Sequence, residues 1–178
     1  MIKNYLILFV LTMIISCKTD EKKSYDKFIV DQNIINNDTI KLLSKYPELK
    51  LFEDEIFESK TRTAYIIETT NLFKIDNYKC ETFYKNDTLN ILLNNSNEYF
   101  GNGILIKVFD GEFFIKDIDP KTLHRERKFI KTSLVYQKLI LNKNNFQKND
   151  SIYGFIHYNT KVESFTKDFR GYFKAVIK

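Results

Sequence analysis

The stretch Gly103-Ile104-Leu105-Ile106-Lys107-Val108-Phe109-Asp110-Gly111-Glu112-Phe113-Phe114-Ile115-Lys116-Asp117-Ile118 decides the fold. Asp-Gly accepts positive φ at both central positions of a two-residue turn, and that turn matches the twist of the strands beside it. Ile104, Ile106 and Val108 alternate with Leu105, Lys107 and Phe109. Period-two alternation is the spacing of a strand with one face inward. The stretch therefore predicts a β-hairpin with arms at 103–110 and 112–118.

The same signals recur outward from it. Residues 63–69, 78–84, 88–93, 130–141, 152–158, 161–165 and 169–177 are rich in β-branched and aromatic types. Asn86-Asp87 reads as one turn and Asn159-Thr160 as another, with Arg170-Gly171 at the start of the last strand. About eight strands at short spacing predict a mainly β fold, an antiparallel β-sandwich or a partly closed barrel. One or two short N-terminal helices precede it. Asn37-Asp38-Thr39 supplies an N-cap, Ile40, Leu42, Leu43 and Tyr46 follow at near-helical spacing, and Pro47 stops the helix. That predicts a helix over 38–46. Residues 48–60 fit either a second short helix or an irregular strand.

Composition sets the class. Hydrophobic residues make up 43% and charged residues 29%, the balance of a globular chain rather than a disordered one. The net charge is +5, with 24 Lys against 4 Arg. Lys, Ile, Asn, Phe and Tyr are all enriched, and all have A/T-rich codons. The basic residues are spread along the chain among Asp and Glu instead of gathered on one segment. No nucleic-acid partner is expected.

The N-terminus carries the most specific pattern. Lys3 precedes the apolar run from Leu6 to Ile15. That length suits a secretory signal and falls short of the roughly 20 residues of a membrane span. The run ends in Ile14-Ile15-Ser16-Cys17. This resembles the lipobox of bacterial lipoproteins, with Ile14 where the family usually has Leu. The resemblance implies cleavage between Ser16 and Cys17 and acylation of Cys17, whose sulfur is the nucleophile such alkylation needs. Two or three acyl chains would anchor the chain stably in a bilayer. Lys18, Asp20 and Glu21 are similar to the surface-export signal of Bacteroidota-type lipoproteins. The implied location is the outer membrane, facing either the surface or the periplasm. The expected organisation is a signal peptide at 1–16, a lipidated Cys and tether at 17–27, and one β-rich domain at 28–178.

Asn37-Asp38-Thr39-Ile40, Asn86-Asp87-Thr88-Leu89 and Asn149-Asp150-Ser151-Ile152 repeat one pattern at unequal spacing. Asx turns or caps entering regular elements account for it. The pattern also resembles the O-glycosylation sequon of exported Bacteroidota-type proteins, which would make Thr39, Thr88 and Ser151 acceptors.

Catalytic motifs do not stand out. Cys80 lies in an apolar-alternating strand and reads as a core thiol. His124 and His157 lack the paired spacing of a zinc site, so neither metal nor cofactor is expected. Gly101-Asn102-Gly103 lacks the third glycine and following helix of a phosphate loop. The acidic runs Glu53-Asp54-Glu55 and Asp117–Asp119 have neither calcium-loop spacing nor a defined catalytic pair. Tyr65, Tyr99, Tyr136, Tyr153, Tyr158 and Tyr172 are candidates to stack a sugar or face a partner. The densest basic segment, His124, Arg125, Arg127 and Lys128, is the candidate partner contact, since Arg forks suit anions.

The reading is a membrane-anchored envelope lipoprotein whose β domain binds a protein or glycan and catalyses nothing. The alternatives are a small hydrolase acting on envelope glycans or lipids, an immunity or inhibitor lipoprotein, and a scaffold role in an envelope complex. A concave pocket uniting a histidine with two carboxylates would favour the hydrolase.

Overall fold

The computed structural model describes residues 25–97, 101–118, 129–163 and 165–178. In chain order its elements are β1 (Asp26–Lys27), β2 (Ile29–Val30), a 3-10 turn (Gln32–Asn36), α1 (Asp38–Leu43), β3 (Ala64–Thr70), β4 (Lys74–Ile75), β5 (Lys79–Lys85), β6 (Thr88–Asn94), β7 (Gly103–Phe109), β8 (Glu112–Ile118), β9 (Ser133–Leu141), β10 (Ser151–Val162) and β11 (Phe165–Val176). They form two sheets, ordered β1-β8-β7-β6-β5 and β2-β9-β10-β11-β3-β4. The sheets stack as a β-sandwich, and among the described residues no barrel closes. All the pairings are antiparallel except β2 with β9.

Alternation builds the core. Ile104, Ile106 and Val108 of β7 point inward, as do Ile91 and Leu93 of β6. Ala64 and Ile66 of β3, Ile152 and Ile156 of β10, and Phe169 and Phe173 of β11 meet them from the other sheet. Each such aliphatic or aromatic side chain gains roughly 1.5–3 kcal/mol from leaving water. The Asp110-Gly111 turn has φ of 47° and 78°, and Asn86-Asp87 has 50° and 57°, the left-handed values that a two-residue hairpin requires.

Two seams join the sheets. The chain leaves the first sheet at β1 and enters the second at β2, with Phe28 buried between them. On the opposite side the chain end crosses back: Lys178 N donates to Thr82 O (3.2 Å), and Thr82 Oγ1 donates to Val176 O (3.1 Å). These bonds satisfy part of the free edge of β5, which would otherwise present unpaired donors and acceptors.

Several boundaries differ from the sequence expectation. Eleven strands occur among the described residues rather than about eight, because β1, β2 and β4 have only two residues each and are too short to show alternation. Asn159-Thr160 is not a turn. β10 runs through it, and the register slips there against β9 as a bulge. The reversal comes at Glu163, φ 51°. Gly171 lies mid-strand, where a Cβ would stand 2.0 Å from Tyr65 O, so its role is close backbone approach rather than turning. Tyr25 packs on the rings of Phe109 and Phe114, and Asp26-Lys27 pairs with β8, so the folded body begins before residue 28. Helix α1 stops at Leu43, short of Tyr46. Residues 48–60 form neither helix nor strand. Their neck is closed by the Pro47–Thr61 bridge and an Arg62 N to Tyr46 O bond, the pattern of a compact surface loop.

Candidate functional site: a mixed-charge cleft beneath the 48–60 loop

The 48–60 loop arches over the seam between β5 and the end of β11 and encloses a half-open cleft of about 940 Å³. Its geometry starts at Glu48. This carboxylate is buried, and it accepts from Thr63 Oγ1 (2.6 Å) and Leu49 N (3.0 Å). Thr63 Oγ1 in turn accepts from Cys80 N (2.9 Å), tying the loop neck to β5. Further out, Glu55 Oε2 accepts from Leu51 N (2.7 Å), and its other oxygen pairs with the Lys79 ammonium. Burial alone would raise the Glu55 carboxyl. The Leu51 bond, the Lys79 bond and the charges of Lys79 and Lys50 outweigh it and hold the group below the ordinary range. Lys79 also lies 5.1 Å from the centre of the Phe57 ring.

The opposite wall comes from β11 and the chain end. Lys174 Nζ donates to Ser44 Oγ (2.8 Å) and Thr61 Oγ1 (3.1 Å). Burial lowers its amine pKa, partly offset by the Glu48 charge. Lys178 pairs with Glu58 at the mouth. Cys80 lines the floor, where burial, with Glu81 and Glu48 behind it, pushes the thiol well up. It is a protonated core thiol without the electropositive setting of a nucleophile. Above these pairs Ile56 stands 90% exposed, with Phe57 also exposed. The surface is an apolar tip ringed by charges of both signs.

The histidine lies elsewhere. His157 is on the outer face of β10, half-buried, 3.0 Å from Asp168 Oδ1 and edge-on to Tyr136. Asn159 Nδ2 also donates to Asp168 Oδ1 (3.1 Å). No histidine lines the cleft among the described residues. Among the described residues there is also no cluster of three His, Cys, Asp or Glu side chains suited to a metal.

The three repeated Asn-Asp motifs sit where chain direction changes. Asn37 Oδ1 caps α1 by accepting from Thr39 N (2.9 Å), and Thr88 Oγ1 donates to Asn86 O at the head of β6. Asn149 has φ 69° ahead of exposed Ser151. Of the tyrosines singled out by sequence, Tyr65 and Tyr136 are exposed on the outer face. Tyr158 is buried, because it shares the inward parity of Ile156. Ser16, Cys17, Tyr99, His124, Arg125, Arg127 and Lys128 lie outside the described residues.

The sequence pointed to Glu53-Asp54-Glu55 only as acidic. It gave no sign that Glu55 meets Lys79, 24 residues away, or that Glu48 meets Thr63. No family model, curated protein or solved structure matches the chain. Among the described residues no helix is long and apolar enough to cross a membrane.

Proposed function

We propose that this chain is a lipid-anchored envelope protein whose β domain binds a protein partner through the 48–60 loop and its cleft. The anchor rests on Ile14-Ile15-Ser16-Cys17 behind a ten-residue apolar run. The binding role rests on one observation above all: Ile56 and Phe57 are held out in water by a loop whose neck and flanks are hydrogen-bonded in place. An apolar centre with a polar, ion-paired rim is the anatomy of a protein interface. Glu48, Glu55 and Glu58 of the cleft are engaged by lysines, a hydroxyl and backbone donors, and His157 is on another face. This arrangement favours recognition over acid–base chemistry.

Two experiments test it. Mass spectrometry of the mature N-terminus should find Cys17 acylated, and an unmodified Cys17 overturns the anchor. Photo-crosslinking from position 56 in intact envelopes should give one dominant protein adduct, lost when Phe57→Ala and Lys79→Ala are introduced together. An adduct to glycan, or none, overturns the protein-binding role.

A further inference from the structure

Outside the residues that line the cleft, between the two sheets, the core holds three charges. Lys167 of β11 is 4% exposed, Glu68 of β3 is 1% and Asp117 of β8 is 0%. Lys167 Nζ lies 3.1 Å from Asp117 Oδ1 and 3.6 Å from Glu68 Oε1. Tyr158 OH donates to Asp117 Oδ2 (2.6 Å), and Tyr78 OH donates to Glu68. The Phe169 ring covers the ammonium at 4.9 Å and stacks edge-on with Tyr78. Taking an ammonium and two carboxylates out of water is costly even when they pair.

We propose that Lys167 and Asp117 condense to an intramolecular amide, with Glu68 as the proton carrier, which covalently staples one sheet to the other. Moving one proton from the Lys167 ammonium to Asp117 Oδ1 leaves a free amine and a neutral acid. The amine lone pair attacks Asp117 Cγ, and Tyr158 donates to the oxyanion forming on Oδ2. Glu68 takes the second proton from Nζ and passes it to the Oδ1 hydroxyl, which leaves as water when the C–O bond breaks. The products are one amide N–H, one water and the Glu68 carboxylate restored. No oxidant, metal or cofactor enters. Fixed proximity supplies the drive, since well-oriented groups reach effective concentrations of about 10⁵–10⁸ M. The amide also removes one positive and one negative charge from the core.

Lys167, Asp117, Glu68 and Tyr158 sit on inward strand positions, so the backbone pairings hold these groups in place. Both tyrosines stay protonated donors: burial pushes their hydroxyls far up, and the carboxylate beside each adds to it.

Tryptic mapping of the purified full-length protein is the test. Trypsin should fail to cut after Lys167. It should release a branched peptide joining fragments 117–121 and 162–170, lighter than their sum by one water. Glu68→Gln should keep the fold by circular dichroism and yield the fragments unjoined. Full recovery of separate linear fragments from folded, aged wild-type protein overturns the amide. A branch to the fragment bearing Glu68, or full joining in Glu68→Gln, overturns the assigned roles. Should Glu68→Gln not fold, the wild-type map still distinguishes the joined peptide from the separate ones.

Discussion

The interior around Lys167 and the cleft beneath the 48–60 loop both set lysines against carboxylates, yet water reaches them differently. Lys167, Glu68 and Asp117 are sealed between the sheets, with aromatic rings on their open sides. Lys79 and Glu55 are mostly covered, and Lys178 and Glu58 are more than half exposed. In the interior each charge depends wholly on its partners, because no solvent can replace them. At the cleft mouth solvent substitutes readily, and the proposed binding role would have these pairs exchange their partners for those of an incoming protein.

The largest effect that should separate the two regions is Lys167→Met. It removes the ammonium and any amide made from it, leaving Glu68 and Asp117 buried with neither, and urea unfolding should show a loss of about 3–5 kcal/mol or more. A loss under about 1 kcal/mol would mean that water reaches the cluster, and the contrast would fail. A smaller effect belongs to Glu55. Its folded-state carboxyl is held below the ordinary value of 4.5, so its contribution is present above that pH and fades as pH falls through the lowered value. The stability gap between wild type and Glu55→Gln should therefore narrow in acid, and hydrogen exchange at the Leu51 amide should quicken. A gap that widens in acid would reverse the sign. The smallest effect is at Lys178. Lys178→Ala should change stability by no more than about 1 kcal/mol, because exposed pairs are solvated either way. A cost approaching that of Lys167→Met would erase the distinction.

The buried cluster was partly legible. Glu68 follows Ala64 and Ile66 at inward parity, Asp117 follows Phe113 and Ile115, and Lys167 precedes Phe169 at the same spacing. A charge on the apolar face of a strand is the signal, and Glu68 and Asp117 each carried it alone, whereas Lys167 fell in the gap between the strands expected at 161–165 and 169–177. Which charges meet depends on β11 pairing with β3 and on the two sheets facing each other, which no local pattern encodes. The cleft was less legible, because residues 48–60 have no period to read. The loop is set by its neck and by contacts to β5 and β11.

Local sequence was enough for the hairpin at Asp110-Gly111, the alternation that makes two-faced strands, the turn chemistry of the Asn-Asp pairs and the mainly β class. All of these depend on residues within a few positions of one another, where φ preferences and side-chain parity act. The remainder came from the packing of distant strands. Packing set the two seams, the strand switch around Phe28, the close approach of Gly154 to Phe173 and of Gly171 to Tyr65, and the meeting of Lys167 with Asp117 across 50 residues. Those contacts arise only when separate strands close on one core, and the residue that completes each of them is far away in the chain.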